Sequence, residues 1–375
     1  MKCIDEIPAG ELKGKRVLLR AGLDLPVNDE GEVTDVFRLK QSFATIKFLI
    51  KNEARVIVIA KIGRDPKATM APVAKAMKAY FSVFFVPALS GPLVNDAVTA
   101  MKDGNIVLLE NLQQDPREIE GSDAFAQELA SLADMYVNDA FPSIHRESTT
   151  MVNITKFLPS YAGILVREEV RQIDAARAPG HLSFAILGGA KFETKAPLIK
   201  LLLEKYDRVF VTGALANDVF KARGLPVGRS LISKELPDAS ILEHSNFLAP
   251  VDVTVERPDG QSHVKKPQDV EADDKIVDIG PDTVAMLSPH IASAKFILWA
   301  GPTGMYESGY IHYTQGIAEL IAKSEAQKVI GGGDTIAAIE KTGVAQESLG
   351  FLSTGGGAML EYLLKGTLPG IEVLS

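Results

Sequence analysis

The feature that most constrains this chain is a repeated alternation. A short run of Val, Ile and Leu is followed by glycine or a polar turn, then by a segment of helical spacing, then by another such run. The pattern predicts strands over Arg16–Leu23, Arg55–Ala60, Ile106–Glu110, Met135–Asp139, Phe184–Leu187, Val209–Val211, Ile276–Ile279, Phe296–Trp299 and Val329–Ile330. Near-continuous β-branched content points to parallel strands buried on both faces. Between them, Asp123–Asp134 carries Phe125, Leu129 and Leu132 at helical spacing, and Ala196–Lys205 is similar. Strand alternating with helix throughout indicates a doubly wound α/β architecture.

A chain of 375 residues is too long for one ordinary core and fits two domains. The strand rhythm pauses once, around residues 161–180, where Ile164–Arg177 reads as a single helix ending in Ala-Pro-Gly. The expected organisation is therefore α/β, with two doubly wound parallel-sheet domains joined by a hinge helix. Residues 1–163 form the first domain, 164–180 the connection and 181–359 the second domain.

Composition removes several function classes. The chain is 46% hydrophobic and 23% charged, a globular mix rather than a disordered one. Its apolar stretches are strand-sized, so no membrane partner is expected. Charge stands near the N-terminus where a signal peptide needs an apolar core, and the cytoplasm is the expected compartment. The lone Cys3 excludes an internal disulfide and a cysteine zinc site. A net charge of −8 argues against a nucleic-acid binder and leaves small molecules as partners.

In parallel α/β sheets, ligands sit beyond the carboxyl ends of strands. In the second half those ends are glycine-rich: Gly188-Gly189-Ala190-Lys191, Thr212-Gly213-Ala214, Ala300-Gly301-Pro302-Thr303-Gly304 and Gly331-Gly332-Gly333-Asp334-Thr335. A further run, Ser353-Thr354-Gly355-Gly356-Gly357-Ala358, opens a helix. Glycine lets a ligand approach the backbone, and N–H groups at a helix N-terminus hold phosphate oxygens. One such loop is most often just a turn; five in one domain indicate a phosphate site. Neither GxxxxGK[ST] nor GxGxxG occurs, which excludes the P-loop and classical dinucleotide motifs. Asp334 beside a glycine triplet suits Mg²⁺, which takes one or two carboxylates plus phosphate oxygens; its structural alternative is a helix N-cap. Lys191 and Lys195, four apart at a strand-to-helix turn, fit a helix face toward phosphate, although a solvated pair is the commoner fate of such lysines.

The first half ends its strands in basic residues instead. Arg20 closes the first strand, Arg38 lies in a polar turn, Lys61 and Arg64 flank Gly63, and His145-Arg146 follow Asn138-Asp139-Ala140-Phe141. Singly each reads as a surface charge. As a set at equivalent sheet positions they form a small-anion pocket.

These residues carry a resemblance. The chain resembles the phosphoglycerate kinase family over essentially its full length. The matching motifs are Gly188-Gly189-Ala190-Lys191 with Lys195, Pro250-Val251-Asp252, Asp278-Ile279-Gly280-Pro281, Trp299 through Gly301-Pro302 to Glu307, Gly331–Thr335 and Ser353–Ala358. The first half adds Arg20 with Pro26, Arg38, Gly63-Arg64, Glu110-Asn111, Asn138–Phe141 and His145-Arg146.

The resemblance implies a Mg²⁺-dependent kinase of glycolysis, monomeric, closing about a hinge. Its first domain would bind 3-phosphoglycerate and its second Mg-ATP or Mg-ADP, with residues 360–375 returning to the first. It further implies that Asp334 binds Mg²⁺, Thr335 sits at the phosphates and Glu307 holds the ribose hydroxyls. Lys195 would bind nucleotide phosphate. Lys191 would stabilise the transferring phosphoryl group with Arg38 and glycine amides, Gly331 and Gly355 among them; Gly189, Gly213, Gly332 and Gly333 would line the nucleotide. Arg20, Asp24, Arg38, Lys61, Arg64 and Arg146 would form the acid site.

That acid site departs from the family pattern. The family's Arg-x-Asp-x-Asn is Arg20-Ala21-Gly22-Leu23-Asp24, the histidine of His-x-Gly-Arg is Lys61, the arginine after Glu-Asn is Gln113, and a second histidine is Ser148. On the nucleotide side Ala300 replaces asparagine, Ile276 replaces a glycine and Thr212-Gly213-Ala214 replaces a glycine triplet. The expected reaction is phosphoryl transfer between ATP and the carboxylate of 3-phosphoglycerate. A kinase for another carboxylic acid, and a nucleotide-binding pseudoenzyme, are the alternatives.

Overall fold

The computed structural model describes residues 1–374, and its chain divides into two units. The first spans Met1–Arg171 and takes back the stretch from Thr367; the second is Gln172–Gly366.

In the first unit, β1 (Arg16–Ala21), β2 (Arg55–Ala60), β3 (Val83–Phe85), β4 (Ile106–Asn111), β5 (Met135–Asp139) and β6 (Ser160–Ala162) form a parallel sheet of order β3-β4-β2-β1-β5-β6. The near-continuous apolar runs serve two cores at once. Val17, Leu19 and Ala21 of β1 join one cluster, and Leu18 joins the other. Likewise Val56 and Val58 of β2 face one way, Ile57 and Ile59 the other. Each such aliphatic side chain contributes roughly 1.5–3 kcal/mol on burial.

In the second unit, β7 (Ser183–Gly189), β8 (Arg208–Gly213) and β9 (Phe247–Leu248) precede β10 (Val253–Glu256), β11 (Ser262–Lys265) and β12 (Lys275–Ile279). Then come β13 (Phe296–Ala300), β14 (Gln327–Gly331) and β15 (Phe351–Leu352). The main sheet is parallel, of order β15-β14-β13-β7-β8-β9. Strand order reverses between β7 and β13, the place where such sheets open a crevice for ligands. One expectation is corrected: Ile276–Ile279 is not a parallel core strand. It belongs to β12 in a separate antiparallel sheet, β11-β10-β12, where it pairs with β10 and its half-buried Lys275–Ile276 end lines a pocket.

Helix Ile164–Arg177 carries the chain from one unit to the other, and the unit boundary falls inside it. Asp139, fully buried, accepts the N–H groups of Leu165 (3.0 Å) and Val166 (3.4 Å) at its start. Gly163 is required there, since a Cβ would collide with the Asp139 carboxylate. Burial pushes the Asp139 carboxyl up to about 7. At the helix's other end, Tyr206 Oη donates to the Ala176 carbonyl (2.6 Å) and Tyr362 Oη to Asp174 (3.0 Å).

Residues 360–366, assigned from the sequence to the returning tail, lie with the second unit, because helix Gly356–Lys365 packs there as a whole. From Thr367 the tail joins the first unit, where the Gly370 N–H donates to the Ile144 carbonyl (3.0 Å). The helix expected over Asp123–Asp134 stops at Ala130. Asp134 is drawn away from it by Arg16, whose backbone N–H (2.8 Å) and guanidinium (2.7 Å) both donate to its carboxylate.

Candidate functional site

At the carboxyl ends of the second unit's strands lies a pocket of about 430 Å³. Leu231, Val253, Ile276, Val277 and Met305 give it apolar walls; Tyr306, Glu307 and Asp334 give it a polar lining. Apolar walls with a few polar groups suit a ligand that has an apolar part and several oxygens. The Leu231 wall is clamped by the helix Ala214–Ala222. Asn217 Nδ2 donates to the Leu231 carbonyl (3.0 Å), and Asp218 accepts from Ser233 N–H (2.7 Å) and Oγ (2.9 Å). Ser233 Oγ in turn accepts the Phe192 N–H (2.8 Å), which fixes the start of helix Phe192–Lys205 immediately after Lys191.

The glycine loops divide into two kinds. Some glycines exist so that loops can touch. A Cβ on Gly188 would stand 2.8 Å from the Pro302 carbonyl oxygen, and one on Gly356 would stand 2.6 Å from the Gly332 Cα. Gly331 is buried against Met359. Two glycines have no such reason: a Cβ on Gly333 or on Gly357 meets nothing within 4 Å. Both stand in the first turn of a helix, Gly333–Thr342 and Gly356–Lys365 respectively. First-turn N–H groups lack intrahelical partners, and the helix dipole adds positive potential, so these two positions form an open anion cradle. The Gly355 N–H is engaged differently, donating to Ser353 Oγ (3.2 Å).

Lys195 is half-buried beside Gly189, with its Cε 3.6 Å from where a Gly189 Cβ would be. Burial lowers its pKa from the ordinary lysine value, and no carboxylate pairs with it among the described residues. A half-buried ammonium without a counter-ion is a place for an anion. Lys191 is exposed at the N-cap of the same helix.

Several residues singled out from the sequence turn out to be enclosed. The Thr335 side chain is fully buried: its hydroxyl donates to the Gly331 carbonyl (2.9 Å) and accepts the Gly301 N–H (2.6 Å). It ties the β13 and β14 loops together, which leaves only its backbone N–H for a ligand. Asp252 caps helix Pro281–Ser293, accepting Asp282 N–H (2.8 Å), Thr283 N–H (2.8 Å) and Thr283 Oγ1 (2.6 Å). Asp278, pushed up to about 7 by burial, fills the space left by the missing side chain of Gly304. Asp334 by contrast is exposed, in no ion pair among the described residues, and accepts from Tyr306 Oη at 3.2 Å. Glu307 is exposed on the adjoining turn Tyr306–Ser308.

The described residues hold no cluster of three His, Cys, Asp or Glu side chains suited to a metal. An all-protein cage is therefore absent among them, while a single open carboxylate beside a phosphate cradle is the donor set Mg²⁺ uses with a nucleotide.

In the first unit the basic residues gather at the carboxyl ends of β1 and β2 and in the loop after β5. Lys61 Nζ pairs with the Asp24 carboxylate, which also accepts the Gly63 N–H (2.8 Å). Arg38 lies in the short helix Phe37–Gln41 rather than in a turn, and its Nη1 donates to the Asp24 carbonyl (2.7 Å). Arg20 is only 2% exposed; its Nε donates to Thr150 Oγ1 (3.1 Å) and its Nη1 to the Ala21 carbonyl (2.9 Å). Buried Glu118 accepts Thr150 Oγ1 (2.7 Å) and Ser148 Oγ (2.8 Å), so Ser148 serves this network. Burial lowers the Arg20 pKa and raises that of Glu118; each charge offsets part of the other's shift. Arg20 thus supplies field rather than a free fork. Arg38, half-buried, and Arg64 and Arg146, both exposed, form no ion pair among the described residues. Gln113 is half-buried, its N–H donating to Asn111 Oδ1 (3.2 Å).

Sequence reasoning missed Pro142 and Tyr306. A Cβ on Gly22 would stand 3.3 Å from Pro142 Cδ, so Pro142 occupies the room a side chain at position 22 would need. Tyr306 carries no motif of its own; its tie to Asp334 crosses 28 residues.

The family model described as phosphoglycerate kinase matches residues 4–366. A phosphoglycerate kinase of Rubrobacter xylanophilus is 39% identical over 97% of this chain and 96% of its own length. That of Aquifex aeolicus is 38% identical over 96% and 95%. Among solved structures, the Coxiella burnetii phosphoglycerate kinase superposes with a TM-score of 0.82 at 30% identity, covering 99% of this chain and 98% of that one. The Pyrococcus horikoshii enzyme superposes with a TM-score of 0.87 at 25% identity, covering 100% and 98%.

Proposed function

Because the chain belongs to the phosphoglycerate kinase family, we propose that its two units divide one reaction between them, the first holding the acid and the second the nucleotide. The reaction is reversible phosphoryl transfer from ATP to the carboxylate of 3-phosphoglycerate, giving the acyl phosphate and ADP. The carboxylate is already ionised at neutral pH, so no general base is needed. Catalysis is positioning plus stabilisation of charge on the moving group.

The observation that carries the residue assignment is Lys195, a half-buried ammonium without a carboxylate partner, in a unit whose helices open at Gly333 and Gly357. Lys195 and the open amides hold nucleotide phosphates, Glu307 takes the ribose hydroxyls, and the apolar walls take the base. Gly189, Gly213 and Gly332 let the loops lie close to the ligand. Lys191, exposed and unpaired among the described residues, meets the transferring phosphoryl group. Gly331 and Gly355 act through the loops they shape, since one is packed on Met359 and the other's N–H is engaged. Asp334 would hold Mg²⁺, which when bound offsets phosphate charge. Arg38, Arg64 and Arg146 match the charge of an acid that carries both phosphate and carboxylate, with Lys61 and Arg20 adding positive field and Asp24 fixing Lys61.

No described helix is long and apolar enough to cross a membrane. The proposal has the protein working in the cytoplasm, as a monomer, on small molecules. The test is turnover of Mg-ATP and 3-phosphoglycerate, coupled to reduction of the acyl phosphate, in the native protein and in Lys191→Ala. The variant is expected to lose turnover far more than nucleotide affinity. A near-normal turnover number would remove Lys191 from the reaction.

A further inference from the structure

Tyr306 is fixed at two points along helix Gly333–Thr342. Its hydroxyl donates to Asp334 Oδ1 at 3.2 Å, and its ring lies under the Lys341 ammonium, 5.1 Å from Nζ to the ring centroid. Asp334 and Lys341 are seven residues apart and so share one helix face two turns apart. The ring is thereby laid along that face with its polar tip at the carboxylate. Glu307, next in sequence, adds a second negative charge near the hydroxyl. Tyr306 also lines the nucleotide pocket with Asp334 and Glu307.

A phenol has one proton to donate. While it donates to Oδ1, that oxygen keeps a second lone pair but is the weaker donor to a metal, so Oδ2 is the preferred ligand atom and chelation through both oxygens is disfavoured. This matters for the choice of cation. Mg²⁺ demands a compact octahedral shell and is served by single carboxylate oxygens. Ca²⁺ accepts six to eight oxygens, including both oxygens of one carboxylate.

We propose that Tyr306 is a positioning residue that makes Asp334 a one-oxygen ligand and thereby favours Mg²⁺ over Ca²⁺ in the metal–nucleotide complex. The inference rests on the assignment of the metal to Asp334. It predicts a distinct signature, because the hydroxyl acts only through the carboxylate. Removing it leaves ring packing, the Lys341 contact and the apolar walls in place.

The test is calorimetric binding of ADP to the whole protein with chelator, with Mg²⁺ and with Ca²⁺. The native chain is compared with Tyr306→Phe, Asp334→Asn and the double variant. Tyr306→Phe is expected to weaken Mg-ADP binding about tenfold, and by more than it weakens metal-free ADP binding. That is the low end for partners of metal ligands, in keeping with a 3.2 Å bond. Ca-ADP binding should weaken less, so the preference for Mg²⁺ narrows. In the Asp334→Asn background the Tyr306 change should have no further effect. An unaltered Mg²⁺/Ca²⁺ ratio, or equal losses with and without metal, would overturn the inference and leave Tyr306 a pocket wall. If Asp334→Asn itself binds Mg-ADP as tightly as the native chain, the metal assignment fails first, and the inference with it.

Discussion

Lys61 and Asp24 form an ion pair in the first unit, and the second oxygen of Asp24 accepts the Gly63 N–H at 2.8 Å. The pair joins two of the departures from the family pattern, Lys61 in place of a histidine and Asp24 in place of an asparagine. Burial lowers the Lys61 pKa, Asp24 offsets part of that, and Arg146 and Arg20 add repulsion. Lys61 is thus a cation held in place by its partner while retaining donors for an acid.

Lys61→Met is expected to raise KM for 3-phosphoglycerate about tenfold, about 1.4 kcal/mol, with kcat little changed. Because the Lys61 pKa is lowered, its charge is lost at a lower pH than that of an ordinary lysine. The native KM should therefore rise on the alkaline side, and the variant should lack that rise. Steady-state kinetics from pH 6 to 10 would check both; a KM indifferent to the substitution would exclude Lys61 from the acid site.

Asp139 makes a prediction about stability. Its carboxyl lies at about 7 in the fold against 3.8 unfolded, so between those values the folded state binds the extra proton. Its contribution is therefore full below pH 3.8 and is lost as pH rises through 7. Asp278, raised to about 7 by the same cause, acts with the same sign. Asp139→Asn keeps an acceptor for Leu165 and Val166 and removes the ionisation. Relative to the native chain it should gain roughly 2–4 kcal/mol between pH 5 and pH 8. Urea unfolding at the two pH values measures this; an unaltered pH slope would show that Asp139 ionises freely.

Thr335 separates a structural from a ligand role. Thr335→Val keeps shape and removes a hydroxyl that serves both Gly331 and Gly301. It should cost about 1–3 kcal/mol, since a half-buried N–H and a buried carbonyl lose their partner. Thr335→Ser should recover most of this. Thermal melts of the two variants decide it, and a Val variant that melts like the native chain would mean the hydroxyl serves the ligand instead.

The parallel sheets were legible in the sequence because residues on both faces of their central strands are buried. Val17, Leu18 and Leu19 are apolar in succession, for two different cores. The hairpin β10–β11 was not legible: Ser262–Lys265 alternates exposed with half-buried and carries little apolar signal. The edge strands Phe247–Leu248 and Phe351–Leu352 are too short to show a period. At the site, residue types were legible but their employment was not. The Thr335 hydroxyl is bonded to two loops, and the motif carboxylates Asp252 and Asp278 are enclosed, which sequence does not show; the partnership of Tyr306 with Asp334 likewise has no local signature. The glycines show the same limit, since sequence does not separate a loop that needs room for another loop from one that needs room for a ligand.

Gly333 and Gly356 turn that distinction into a measurement. A Cβ on Gly333 meets nothing within 4 Å, and this residue stands in the first turn of its helix. Gly333→Ala should leave the fold intact and raise helix stability by up to about 1 kcal/mol. If the open space belongs to phosphate, the same methyl should weaken ADP binding about tenfold or more, at least about 1.4 kcal/mol. Gly356 should behave the opposite way. Its Cβ would stand 2.6 Å from the Gly332 Cα, so Gly356→Ala forces two loops apart and should cost about 1–3 kcal/mol of stability. Melting curves and calorimetry on both variants give four numbers. Gly333→Ala with native ADP affinity would show that phosphate is held elsewhere, leaving Lys195 without its expected companion.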